Sequence, residues 1–138
     1  MFDWVSLQNL AVIGVSFQFG GMAFFAFVFS PMIFKFLDSD QASKFLRQLF
    51  PIYYRLSAGI SIFPALMLIP LPFHHLEVGI LLGIAAIFLF AARVLVPLSN
   101  AARDSNNNRK FKFIHRSSVS IYMLQWVALG AVLIRLVS

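Results

Sequence analysis

The sequence predicts an all-α integral membrane protein, a four-helix bundle in a single transmembrane domain over residues 1–138. Three observations carry that prediction. The chain is 60% hydrophobic and 12% charged, with a mean hydropathy of +0.85, whereas soluble domains carry about 25% charged residues. From Trp4 to Phe34 there is no charged residue over 31 positions, and about 20 apolar residues suffice to cross the hydrocarbon core as a helix. Ten of the eleven basic residues fall into two clusters, and charge-free runs long enough to span flank both.

The first span is expected over 7–36. Its stretch SFQFGGMAFFAFVFSPMIF sets seven phenylalanines around Gly20 and Gly21 without one charge, which no water-facing helix would do. The polar segment LDSDQASKFLRQLF follows. Phe45, Leu46, Leu49 and Phe50 make it a short amphipathic helix lying in the membrane interface. The second span is expected over 51–73, opening on Pro51, a residue favoured at the first helical position. FHHLE is a tight connection, and the third span is expected over 77–98. SNAARDSNNNRKFKF reads as an exposed basic loop, and the fourth span runs over 115–137.

Four spans place the first and third connections on one side. Lys35, Lys44, Arg47 and Arg55 surround one; Arg93, Arg103, Arg109, Lys110, Lys112 and Arg116 surround the other. The positive-inside rule makes both basic loops cytoplasmic and both termini outside, in the bacterial inner membrane. Asp3 before the first span and Lys35 after it favour the same sense. The N-terminal MFD lacks the positive region of a secretory signal, and the apolar run is too long for one, so the first helix is expected to stay in the mature protein.

Polar groups at membrane depth are costly and become site candidates. His115, Ser118, Tyr122 and Gln125 share one face of the fourth helix, and Gln18 lies at a depth similar to Gln125, where two glutamines can exchange hydrogen bonds. This face reads either as interhelical glue or as the wall of a ligand site. Arg55 and Arg93 either snorkel to the headgroups or form an anion pocket between the second and third helices, with Asp38 and Asp104 as loop carboxylates that bend in. Small residues let helices approach in lipid; the candidates are Gly20, Gly21, Ser57, Ser61, Gly79 and Gly83. His74, His75 and Glu77 make a weak metal set, and no metal site is expected. His115 alone is a poor haem ligand. No cofactor is expected, with haem or a metal as the alternatives. No catalytic residues are expected either: there is no Ser-His-Asp set, no paired intramembrane carboxylate and no phosphate loop. The chain has no cysteine, so disulfides and thiolate chemistry are excluded.

The motifs GGMAFFAFVFSPMIF, LFPIYYRLS and FKFIHRSSVSIYMLQ resemble small four-helix bacterial membrane proteins of unknown function related to eukaryotic transmembrane protein 205. The resemblance covers nearly the whole chain and implies the same four-helix fold. A more distant similarity reaches the copper-resistance membrane proteins and the small four-helix protoporphyrinogen oxidase, through RLSAGISIFP with Arg55, Leu56, Ile60 and Pro64. The first-helix histidine and third-helix lysine of that enzyme have no counterparts here.

The function expected is that of a non-catalytic bundle, an accessory subunit or homo-oligomer. Its partners would be the lipid bilayer and other membrane helices, with no nucleic acid. Phe24, Phe27 and Phe34 would supply its docking surface. The alternative is a small carrier or binding protein for a metal, a porphyrin or a drug-like cation.

Overall fold

In the computed structural model, which describes residues 5–138, the chain is all-helical. Four helices are long and apolar enough to cross a membrane: α1 (Leu7–Phe36), α2 (Ser39–Leu68), α3 (His75–Asp104) and α4 (Asn108–Val137), each of 30 residues. At 1.5 Å per residue each is roughly 45 Å long, against about 30 Å of hydrocarbon. Each helix therefore projects beyond the core. Asp3 and Trp4 lie outside the described residues.

The helices run up and down in order, α1 beside α2, α2 beside α3, α3 beside α4, with α4 closing against α1. The α1–α2 and α3–α4 turns share one end of the bundle, here the two-turn end; the 69–74 connection, the start of α1 and the end of α4 share the other, the terminal end. Side-chain caps fix the turns. Ser6 Oγ accepts from the Asn9 amide, Asp38 Oδ1 from Gln41, and Asn107 Oδ1 from Lys110, each satisfying an amide the helix leaves open. At the end of α3, Asn106 takes a left-handed backbone (φ 58°), with Asn106 N–H bonded to Arg103 O and Asn107 N–H to Ala102 O. That Schellman geometry stops α3, and asparagine tolerates it.

Three helices extend past the expected spans on the two-turn side, while α2 stops at Leu68, five residues short of the expected 73. LDSDQASKFLRQLF is not an interfacial helix of its own; it forms the first turns of α2, with Pro51 in the helix interior. In a bundle, neighbouring groups compensate for the amide that proline lacks. SNAARD continues α3 and NRKFKFI opens α4, so the expected 15-residue loop shrinks to a turn at 105–107.

The terminal half is closely packed. Ala11, Val15, Leu68, Leu81, Leu129 and Val132 are fully buried along the axis. The tight approaches are at Gly14, where a Cβ would stand 3.0 Å from Phe63 and 3.3 Å from Pro64, and at Gly130, where it would stand 3.0 Å from Phe19. The expected approaches at Gly20, Gly21, Gly79 and Gly83 do not occur: a Cβ at any of them meets nothing within 4 Å. Those glycines face away from neighbouring helices, and spacing alone does not reveal facing. Ser57 and Ser61 are buried against α1, as their size suggests.

The two-turn half is different. At Phe25–Phe29 in α1 and at Ala91–Leu95 in α3 the helix widens to a π-turn, with Ser30 N–H reaching Phe25 O and Val96 N–H reaching Ala91 O. Each π-turn is followed by a proline, Pro31 or Pro97, which lacks the amide for the next bond. Such turns bend a helix. Beyond the π-turn α1 leaves α4: Leu7–Phe24 approaches α4 within 8 Å between Cα atoms, whereas no Cα from Phe25 to Phe36 does. The bundle is closed at one end and splayed at the other.

Candidate functional site

The splay leaves a cavity of about 600 Å³ between the helices at the two-turn end. Ligand sites typically occupy about 300–1,000 Å³. Its walls follow from the elements just described. α1 contributes Phe25, Ala26, Ser30 and Phe34, all from the π-turn onward. α3 contributes Leu95, Val96, Ser99, Asn100 and Arg103, again from the π-turn onward. α2 contributes Ala42, Ser43, Leu46, Arg47 and Phe50 from the turns that precede Pro51 and include the supposed interfacial segment. α4 contributes Phe111, His115, Ser118, Val119 and Met123.

The floor is aromatic. Tyr122 donates to Met22 O at 2.8 Å, and Tyr53 donates to the Tyr122 hydroxyl, also at 2.8 Å. Phe25 stacks on Tyr53 with ring centroids 4.3 Å apart and planes at 17°, and Phe50 stacks on Tyr54 at 5.4 Å. These contacts tie α1, α2 and α4 together below the cavity. One turn further down, Trp126 donates to Phe19 O at 3.2 Å and stacks on the Phe19 ring at 4.8 Å.

The mouth is polar and basic. Arg47 and Asp104 form a two-pronged ion pair between α2 and α3. Arg103 donates to Ser39 Oγ at 3.5 Å and lies over the Phe111 ring, 5.6 Å from its centroid. Phe111 stacks in turn on His115 at 6.1 Å. Ser118 donates to Ile114 O within its own helix, leaving its oxygen lone pairs for the cavity.

Of the sequence candidates, His115, Ser118 and Tyr122 come together on this wall, with Gln125 one turn below. The glutamines do not bond each other. Gln18 donates to Ser57 O and Ser61 Oγ at 3.1 and 3.2 Å, and Gln125 donates to Ile84 O at 3.2 Å. Each finds a carbonyl on an adjacent helix, because a buried amide is satisfied by the nearest backbone acceptor. Arg55 and Arg93 are exposed on the outside of the bundle and form no pocket between α2 and α3. Asp38 caps α2 and Asp104 pairs with Arg47, so neither bends toward them. Glu77 is buried at 2% exposure and takes Arg135 Nε at 2.6 Å, with His74 Nδ1 at 3.8 Å; it turns into the bundle rather than toward a metal set with both histidines. Among the described residues no group of three or more His, Cys, Asp or Glu is placed to hold a metal.

Phe24, Phe27 and Phe34 are 60%, 59% and 62% exposed. Phe19 and Phe25 turn inward to the stacks above, so the phenylalanines of α1 divide between lipid face and interior. Arg47 and Arg103 were missed as site residues; only their place in the basic clusters pointed to them.

Residues 13–108 match the model of a family described as "Domain of unknown function (DUF4149)". That stretch holds the α1, α2 and α3 walls of the cavity. A 59-residue segment is 37% identical to an "Uncharacterized protein" of Aquifex aeolicus (strain VF5), covering 41% of this chain and 45% of that protein. The chain thus matches less than half the length of that relative. No solved structure matches.

Proposed function

The chain belongs to the family described as a domain of unknown function (DUF4149), and from the cavity we propose that it is a non-catalytic, membrane-embedded binding protein for an amphipathic small molecule. In this proposal it is a multi-pass protein of the bacterial inner membrane, with the two-turn end in the cytoplasm. The cavity is the observation that carries the reading. A bundle that only packed against other helices would gain nothing from splaying, since lost contacts cost dispersion energy. Here both helices that widen do so at the same level, and the space between them stays open.

The basic clusters support the orientation, ten basic against three acidic residues at the two-turn end. The accessory role rests on the exposed rings of Phe24, Phe27 and Phe34, which lipid covers equally well, and it leaves the cavity unexplained. A metal or a drug-like cation finds little on these walls, because Asp104 is already engaged by Arg47.

Native mass spectrometry tests the proposal on protein extracted from bacterial membranes in a mild neutral detergent. The wild-type chain is expected to carry a small-molecule adduct. Val119→Trp, which narrows the cavity from α4, is expected to lose the adduct while keeping a cooperative melt, lowered only by the loss of the ligand's stabilisation. A bare wild-type chain throughout would overturn the proposal.

A further inference from the structure

Resting on that reading, we infer that the ligand is an anionic amphiphile, an acidic head on a hydrocarbon chain, which enters sideways from the lipid between α1 and α4. Its head is held by Arg103 and its chain lies on the aromatic floor.

The side entrance follows from the backbone. From Phe25 onward α1 stays more than 8 Å from α4 between Cα atoms, while α4 remains against α3 at the same level. At the π-turn α1 also stands off from α2, but there the rings of Phe25 on Tyr53 and Phe29 beside Phe45 bridge the space, so the open gap is the one facing α4. Phe34 on α1 and Val119 on α4 line the cavity and are also exposed, at 62% and 45%. A residue that does both stands at the lip of an opening. Both lips are apolar, so a hydrocarbon chain passes them without desolvating polar groups.

The head's charge follows from the mouth. Arg47 is saturated by Asp104, whereas Arg103 has a neutral hydroxyl and a ring as contacts; Asp104 interacts with it only electrostatically, and among the described residues no carboxylate lies within ion-pair distance of it. His115 adds a second nitrogen donor on the facing wall. The whole end carries ten basic and three acidic residues, and such a field raises the local concentration of anions. An arginine offers a planar fork that matches carboxylate and phosphate alike. Below the mouth, Phe50, Leu95, Val96 and Met123 present an apolar wall. A head that is anionic and a tail that is apolar satisfy both regions; inorganic phosphate would leave the lower one empty, and an alkyl cation would meet Arg103.

Titration calorimetry on the purified full chain in neutral detergent, with probes of equal chain length, tests this. Oleate and oleoyl lysophosphatidate are the two acidic probes, oleoyl lysophosphatidylcholine the zwitterionic one, an oleyl trimethylammonium salt the cationic one, and inorganic phosphate the tailless one. At least one acidic probe is expected to bind at one per chain, about tenfold or more tighter than the zwitterion; which of the two is tighter identifies a carboxylate or a phosphate head. Inorganic phosphate and the cation are expected not to bind. Arg103→Gln should weaken the acidic probes about tenfold and the zwitterion less, because choline already offsets its phosphate, and Val119→Trp should remove every chain-bearing probe. Equal binding of all chain-bearing probes, blocked by Val119→Trp, would overturn the anionic ligand while leaving the binding function standing. No binding of any probe, to protein whose extracted form carries an adduct, would overturn the amphiphile class alone.

Discussion

Glu77 and Arg135 are 58 residues apart in the chain and pair at 2.6 Å across α3 and α4 at the terminal end. Glu77 is nearly fully buried and Arg135 half exposed, and Glu77 Oε2 has no hydrogen-bond partner. Removing the arginine leaves a buried charge uncompensated, whereas removing the charge on Glu77 leaves an amide and a cation that reaches solvent. Arg135→Gln should therefore destabilise the bundle by roughly 1–3 kcal/mol, given the half-exposed partner. Glu77→Gln should cost less, and the double variant should fall between wild type and Arg135→Gln. Thermal melts in detergent read this cycle; a harmless Arg135→Gln would count against the pair. The glycines divide as cleanly. Gly79→Ala and Gly83→Ala meet open space and should be neutral or stabilising by up to about 1 kcal/mol, since alanine is the better helix former. Gly130→Leu drives into Phe19, which Trp126 holds in place, and should lower the melting temperature clearly.

At the scale of the element, four prolines lie within the helices, and two of them follow π-turns. Pro31 and Pro97 occur where α1 and α3 begin to line the cavity; Pro51 and Pro64 sit in α2, which stays α-helical throughout. The difference is in what surrounds them. Pro64 packs on Gly14, in the closed half, where straight helices meet. Pro31 and Pro97 stand in the open half; on the α1 side the rings of Phe25, Phe50 and Tyr53 fill the space between α1 and α2. Restoring an amide should let the regular pattern propagate. In Pro31→Ala, spin labels at positions 34 and 113 should approach one another by a few ångström relative to wild type. Unchanged distances would show that the aromatic packing, not the proline, sets the splay.

The whole molecule is polarised along its axis, tightly packed and nearly free of basic residues at the terminal end, open and basic at the other. Charge distribution and packing are separate properties, and they coincide. A periplasm-active reporter fused after Ser138 is expected to be active, and a cytoplasm-active reporter inserted at Asn107 is expected to be active as well. The reverse pattern would place the cavity in the outer leaflet and set the charged end against the membrane potential. The half-buried Phe19–Trp126 stack between α1 and α4 also predicts that Trp126→Ala loosens the closed half, by roughly 2–3 kcal/mol, less than a fully buried tryptophan would cost.

What the sequence by itself determined is the set of properties that add up along the chain. Hydropathy and charge do so, and the first span, the membrane class and the number of spans were legible from 31 uncharged residues and two basic clusters. His115, Ser118, Tyr122 and Gln125 could be placed on one face because helical spacing is local. Tertiary structure decided everything that depends on rotation and separation. In lipid a helix is apolar all round, so no polar stripe marks the face that turns inward; hence Gly14 and Gly130, not Gly79 and Gly83, are the close approaches. The partners of Gln18, Glu77 and Arg103 come from other helices, and nothing in their own neighbourhood names them. The cavity is the clearest case, because it is made by two helices parting, and the distance between helices is a property of their packing rather than of any one segment.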